Sequence, residues 1–98
     1  MYHLFIDDIR TPPTDEWVVV RSSNEALAYV KNHGMPAFIS FDHDLGGDDT
    51  TMVFLRRLVD TLWNGDDTPP DYTVHSANPV GKQNIISFME SWKRSIEQ

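Results

Sequence analysis

The sequence predicts an α/β fold: a four-stranded, mainly parallel sheet in a three-layer arrangement, with helices on both faces. Short runs of β-branched and aromatic residues alternate with longer segments whose apolar residues recur at helical spacing. Three of the short runs end abruptly in polar residues, which is typical of parallel strands that open onto a binding edge. The length of 98 residues suits one domain, which we expect to span residues 1–98.

The first two predicted strands are joined without a helix. The first covers residues 2–7 and is followed by a turn at residues 10–13, Arg-Thr-Pro-Pro. The second covers residues 16–21, and its almost continuous apolar run predicts burial on both faces. The connection between them is short for a parallel crossover and contains two prolines, so we expect a loop in place of the usual helix.

Helices and strands alternate over the rest of the chain. The helices are identified by apolar residues at helical spacing and by capping residues at their ends. We expect, in order, a helix that begins at Ser22 or Ser23 and stops at residues 33–34, a strand over 37–41, a helix over 49–62, a strand over 72–75 and a helix over 81–96. The first two of these helices fit right-handed crossovers between parallel strands. With the first strand in a central position, the expected strand order is 2-1-3-4.

The composition excludes several classes of function. The net charge is −7, from fifteen acidic residues against eight Lys and Arg. This charge argues against binding along an extended nucleic-acid backbone, which requires Lys and Arg to displace counterions. It is compatible with a small phosphorylated ligand, or the end of an RNA, held through a divalent metal ion. The absence of cysteine excludes disulfides and thiolate metal sites.

The sequence has no feature of export or of membrane insertion. No apolar run approaches the roughly 20 residues that a bilayer-spanning helix requires. The first six residues lead directly into a strand and lack the basic and long apolar regions of a signal peptide. We therefore expect a cytoplasmic protein that does not bind membranes.

Polar residues that are capable of chemistry lie at the ends of three predicted strands. Because the carboxyl ends of parallel strands meet along one edge of an open sheet, we expect these side chains to converge. They are Asp7 and Asp8 at the first strand, Asp42, His43 and Asp44 at the third, and His75, Ser76 and Asn78 at the fourth.

Three segments of the chain resemble the cyclic-phosphate processing receiver-like family of bacteria and their phages, a distant relative of the receiver domains of two-component signalling. They are FIDDIRTPP at residues 5–13, SFDHDLG at 40–46 and VHSANPVG at 74–81. The linked motifs are specific in combination and touch nearly the whole chain. The resemblance implies a receiver-like (flavodoxin-like) fold and the processing of cyclic phosphates, such as RNA or nucleotide 2′,3′-cyclic phosphate.

The resemblance also implies roles for individual residues. By analogy with receivers, Asp7, Asp8 and Asp42 bind a divalent metal ion, and Ser76 contacts phosphate. Oxygen ligands alone favour Mg²⁺ or Mn²⁺, whereas a participating histidine favours Mn²⁺ or Zn²⁺. Receivers also carry a lysine at the end of a fifth strand, but here the final helix takes up the residues after Ala77. The fold is then a truncated receiver, and Lys82 becomes a candidate phosphate contact in place of that lysine.

Two histidines distinguish this chain from ordinary receivers. Opening a cyclic phosphodiester requires a proton for the leaving sugar oxygen, and histidine suits that transfer because its unperturbed pKa is about 6.5. We therefore name His43 and His75, with Asp44, as candidate catalytic residues. Asn78 and the start of the last helix are candidate phosphate contacts, because helix N-termini bind anions.

Each assignment has a structural alternative. Asp7 and Asp8 are also expected of a strand-ending turn, or of ion pairs with Arg10. If the third strand continues past residue 41, alternation places His43 on the opposite side from Asp42, and His43 is then structural. Asn78 is equally suited to capping a helix or a turn.

The sequence therefore favours metal-dependent phosphoester hydrolysis and leaves two alternatives. One is a non-catalytic phage or bacterial binding module that inhibits or regulates a host protein. Such a module would use the sheet edge left by the missing fifth strand to bind its partner or to form a homodimer. The other is an atypical receiver that accepts a phosphoryl group on Asp42.

Overall fold

A computed structural model describes residues 1–65 and 67–96, which form a four-stranded parallel sheet and a set of helices. A π-helical turn, Leu58–Leu62, directly follows the second helix. The elements are β1 (His3–Ile6), β2 (Trp17–Val20), α1 (Ser23–His33), β3 (Phe38–Phe41), α2 (Thr51–Arg57), β4 (Asp71–Val74) and α3 (Pro79–Ile96).

The strand order is β2-β1-β3-β4 and every pair is parallel, which confirms the predicted sheet. The register aligns the last residues of the strands, because Ile6 pairs with both Val20 and Phe41, and Phe41 pairs with Val74. The loops that follow the strands therefore leave the sheet at a common edge.

The predicted three layers are wrong, because all three helices contribute to one hydrophobic core on a single face of the sheet. That core takes alternate residues of each strand, such as Leu4, Ile6, Ile39 and Phe41. The two crossovers run in the same direction across the sheet, so their right-handedness puts α1 and α2 on the same side. α3 then packs against α2 and β4.

The other face of the sheet carries the remaining strand residues, and none of them belongs to that core. Trp17, His3 and Phe38 form mutual ring contacts there, with centroids 5.4–5.8 Å apart. The prediction that the second strand is buried on both faces is therefore wrong, because β2 is an edge strand and three of its four residues are only half-buried.

Several element boundaries differ from the prediction by one or two residues. α2 begins at Thr51 rather than 49, and the turn that follows it is closed by a hydrogen bond from the Trp63 N–H to the Leu58 carbonyl at 2.9 Å. α3 begins at Pro79 rather than 81, since proline is well suited to the first helical position. The fourth strand ends at Val74, so His75 lies just beyond it.

Within the part of the chain described, none of the helices has the length and apolar character needed to cross a bilayer.

Candidate metal centre at the carboxyl edge of the sheet

The carboxylates of Asp7, Asp8 and Asp42 meet at the carboxyl edge of the two central strands. Asp7 follows β1 directly and Asp42 follows β3 directly. Their backbones continue the sheet ladder by one residue: the Asp7 N–H donates to the Val20 carbonyl at 3.2 Å and the Asp42 N–H to the Ile6 carbonyl at 2.9 Å. One oxygen from each of the three carboxylates lies within 4.8 Å of the other two. The expected convergence of these acids is therefore present.

The cluster fits a hard divalent cation. Two oxygens bound to Mg²⁺ at about 2.1 Å are separated by at most about 4.2 Å, so the three carboxylates need only a small adjustment to share an ion. Asp8 is half-buried, and its Oδ2 faces Gly46, where an added Cβ would lie 3.7 Å from it. The donor set consists of oxygen alone and suits Mg²⁺ or Mn²⁺.

Asp7 is held in one orientation by three hydrogen bonds. Its side chain is fully buried. Oδ1 accepts the backbone N–H groups of Ile9 and Arg10, both at 2.9 Å, and Oδ2 lies 2.9 Å from Nε2 of His75. Burial alone would raise the pKa of Asp7, but the two backbone N–H groups and His75 together hold that pKa below its usual value.

Asp42 has the opposite electrostatic character. Its pKa is raised, first by burial and then by the neighbouring charge of Asp7, and this outweighs the opposing effects of the His43 N–H, His75 and Arg10. Because the charge of Asp7 is one cause of the raised pKa of Asp42, the two carboxylates repel each other when both are ionised. A divalent cation between them would remove that repulsion.

The side chain of His75 reaches from the end of β4 towards the end of β1, on the face of the sheet opposite the helices of the described residues. Its Nδ1 lies 2.8 Å from Oγ of Ser40, and its ring stacks on Phe5 with centroids 4.7 Å apart and planes at 6°. Ser40 is buried, and its hydroxyl faces the His75 ring. Both ring nitrogens of His75 are thus engaged, one with Ser40 and one with Asp7.

His43, Asp44 and Asn78 form a separate group on the helical side of the sheet. Nδ1 of His43 lies 3.2 Å from Oδ1 of Asp44, and the Asn78 amide donates to Oδ2 of Asp44 at 3.3 Å. These bonds hold the pKa of Asp44 below its usual value. Within residues 1–65 and 67–96, no hydrogen bond or ion pair joins these side chains to those of the acidic cluster.

Two predicted phosphate contacts are engaged in the start of α3. Asn78 caps the helix, because its Oδ1 accepts the Gly81 N–H at 3.0 Å, and Ser76 Oγ accepts the Asn78 N–H at 3.1 Å. Lys82 lies on the exposed side of the first helical turn. The roles of Ser76, Asn78 and Lys82 towards phosphate stay predictions.

Two arginines next to the acidic cluster were not identified as site residues from the sequence. Arg10 Nη1 donates to the His75 carbonyl at 3.0 Å. Arg21 Nη1 donates to the Asp7 carbonyl at 3.1 Å and also to the Arg10 carbonyl. Arg21 directly follows β2, so the rule that located the acids at strand ends also applies to this cation.

Comparison with known families supports the resemblance found in the sequence. The model for the cyclic-phosphate processing receiver domain matches residues 2–91, a range that includes every residue of the site described above. Neither the curated proteins nor the solved structures gave a match.

Proposed function

The chain belongs to the cyclic-phosphate processing receiver domain family, and from this premise we propose that it is a metal-dependent phosphoesterase that opens cyclic phosphates. RNA or nucleotide 2′,3′-cyclic phosphate is the substrate class that we favour. The observation that carries the proposal is the acidic cluster of Asp7, Asp8 and Asp42, whose oxygens lie within 4.8 Å of one another. Phosphoester hydrolysis requires that negative charge on the phosphoryl oxygens be neutralised, and carboxylates at this spacing can hold a cation for that purpose.

In this proposal the acidic cluster holds Mg²⁺ or Mn²⁺, which supplies positive charge to the phosphoryl group. Asp7 is the fixed ligand, because its hydrogen bonds keep it ionised and oriented. Asp8 is more exposed and lies on the loop after β1, so it completes the set from the solvent side. Asp42 joins the set in its ionised form, which the cation favours.

Arg10 is the residue that we assign to the phosphoryl oxygens. Its guanidinium donates to the His75 carbonyl beside the acidic cluster, and its positive charge opposes the rise in the pKa of Asp42. Arginine binds phosphate oxygens through its planar set of N–H groups. Arg10 would then supply a positive charge beside the phosphoryl group. Lys82, on the first turn of α3, is the second candidate cation.

Hydrolysis forms one phosphorus–oxygen bond from water and breaks one bond to a sugar oxygen. The water loses a proton and the sugar oxygen gains one. The proton lost by the water passes to the solvent. We assign the proton gained by the sugar oxygen to His43 in its doubly protonated form, in which Asp44 accepts from Nδ1–H at 3.2 Å and Nε2–H is left as the donor. His75 is less suited to this step, because both of its nitrogens are engaged.

The test is hydrolysis of cytidine 2′,3′-cyclic phosphate, followed by chromatography of the products with Mn²⁺ present and after chelation. We expect metal-dependent opening of the ring that is lost in Asp42→Asn. The matched control is Asp60→Asn, because Asp60 is an exposed acid on the π-helical turn. Turnover that persists after chelation, or in Asp42→Asn, would contradict the proposal.

A second candidate function is a non-catalytic module that binds a host protein or a second copy of the chain. The observation in its favour is the sheet face with Trp17, His3 and Phe38, which no helix of the described residues packs against. A binding module would leave the cyclic phosphate intact, and Asp42→Asn would keep its affinity for the partner.

An atypical receiver is distinguished by stable phosphorylation of Asp42 from acetyl phosphate without turnover.

A further inference from the structure

The geometry around His75 assigns it a role in positioning rather than in proton transfer. We propose that Ser40 and His75 form a relay that fixes the carboxylate of Asp7 for metal binding. The inference rests on the proposed metal site, but it concerns how the protein prepares that site and does not require that any substrate be turned over.

The relay is a continuous line of hydrogen bonds across three strands. Ser40 Oγ lies 2.8 Å from Nδ1 of His75, and Nε2 of His75 lies 2.9 Å from Oδ2 of Asp7. The two ends are buried, with Asp7 0% and Ser40 5% exposed. A buried polar atom without a partner is costly, so Oγ of Ser40 and Oδ2 of Asp7 each depend on the imidazole between them.

The chemistry of the partners determines the tautomer of His75. An ionised carboxylate only accepts hydrogen bonds, so the nitrogen that faces Asp7, Nε2, carries the proton. In the neutral ring Nδ1 is then an acceptor and receives a hydrogen bond from the Ser40 hydroxyl. The carboxylate of Asp7 therefore selects the Nε2–H form of the neutral ring, and the Ser40 hydroxyl, which can donate or accept, holds the ring from the other side.

The ring of His75 has little freedom to turn. It stacks on Phe5 with centroids 4.7 Å apart and planes at 6°. Its backbone is fixed on both sides, because the His75 N–H donates to the Phe41 carbonyl at 2.9 Å and its carbonyl accepts from Arg10 at 3.0 Å. A proton-transfer residue needs a nitrogen that can reach the substrate, and this ring offers none.

The relay leaves Asp7 with one acceptor direction to offer a cation. A carboxylate has about four acceptor positions. Two on Oδ1 are filled by the N–H groups of Ile9 and Arg10, and one on Oδ2 is filled by His75. Partners of metal-binding carboxylates commonly affect metal affinity by 10–100-fold, because they fix the ligand before the ion arrives.

The first test is titration calorimetry of Mn²⁺ binding at constant pH. We expect Ser40→Ala to weaken binding roughly tenfold or more, and Ser40→Thr, which keeps the hydroxyl, to restore much of the affinity. Thr73→Ala is the matched control, since Thr73 is the exposed neighbour of Ser40 in the sheet register. Affinity unchanged in Ser40→Ala, or no Mn²⁺ binding by the natural chain, would overturn the relay.

The second test needs no variant. The ¹⁵N chemical shifts of the His75 ring distinguish the two neutral tautomers, and we expect Nε2–H in the metal-free protein; Nδ1–H would overturn the inference.

A turnover measurement separates this inference from the proposed function. If Ser40→Ala weakens Mn²⁺ binding while the natural chain hydrolyses no cyclic phosphate, the relay stands and the hydrolase proposal fails. If kcat of Ser40→Ala stays low at saturating Mn²⁺ with unchanged metal affinity, His75 takes part in the chemistry and the relay fails.

Discussion

The first turn of α3 approaches His43 so closely that a β-carbon on Gly81 would lie 2.3 Å from Cγ of the imidazole. Only glycine leaves room for the ring in that position. The contact holds His43 against the helix and beside Asp44, with its side chain 14% exposed. The position of the candidate proton donor is therefore set by the absence of a side chain at residue 81.

Gly81→Ala is expected to displace the His43 ring or to push the start of α3 away from it. Overpacking of this kind typically destabilises a protein by about 1–3 kcal/mol, which thermal unfolding can detect. If His43 donates the proton, kcat falls at saturating metal while the affinity for Mn²⁺ is kept. Gln83→Ala, on the exposed side of the same helix, is the control and should change neither quantity. A variant with normal stability and normal kcat would show that the contact is unimportant.

Replacing Asp42 or Asp7 by asparagine should change the free energy of unfolding in opposite directions when metal is chelated. Burial and the charge of Asp7 disfavour the ionised form of the Asp42 carboxyl group. Asp42→Asn removes that charge, so we expect the substitution to stabilise the protein. A gain of about 1 kcal/mol would raise Tm by roughly 4–8 °C. Asp7→Asn should destabilise by about 2 kcal/mol, because an amide cannot accept the His75 Nε2–H through its nitrogen. Equal effects of the two substitutions would contradict the asymmetry of their pKa values.

The stability of the metal-free protein should depend on pH through the same pair. The pKa of Asp42 is raised on folding, so the folded protein protonates this carboxylate at a higher pH than the unfolded chain does. Its contribution to stability is therefore present below the unfolded pKa of about 3.9 and is lost as the pH rises through the folded pKa. The pKa of Asp7 is lowered, so its contribution is present above about pH 3.9 and is lost as the pH falls through the lower folded value.

Urea unfolding with a chelator, at a series of pH values from 3 to 7, measures both effects. Relative to the natural chain, Asp42→Asn should gain most near pH 7 and least near pH 4. Asp7→Asn should lose most at neutral pH, with the difference shrinking below pH 4. A constant offset across this range would mean that neither carboxylate is perturbed.

The acidic cluster was predictable because it follows from a rule about parallel sheets. Strand ends were marked by an abrupt change from apolar to acidic residues, and their common edge placed Asp7, Asp8 and Asp42 together. The strand order was predictable for a related reason, since right-handed crossovers leave few arrangements. Both predictions depend on backbone geometry, which a sequence pattern reports well.

The layers and the histidines were harder to predict because they depend on what each face of the sheet contacts. The apolar run of Trp17–Val20 is typical of a strand covered on both sides, yet the helix that would cover the second face is replaced by a loop. Alternation separated His43 from the acidic cluster as a possibility, but it gave no reason to pair His75 with Ser40 on the neighbouring strand or with Asp7 at the end of β1. The link to Asp7 joins the ends of two strands that are not consecutive in the chain, so the sheet register must be known before it can be predicted.

Arg10 offers a separate test of how the substrate is held. Arg10→Gln keeps the backbone N–H that Asp7 accepts, so the acidic cluster should bind Mn²⁺ nearly as before. We expect KM for cytidine 2′,3′-cyclic phosphate to rise at least tenfold, because a charge-assisted bond to a phosphate oxygen is lost. Arg56→Gln is the control, since Arg56 is exposed on α2. If KM is unchanged and kcat alone falls, Arg10 acts on the transition state rather than on binding, and if neither changes, Lys82 becomes the better candidate for the phosphate contact.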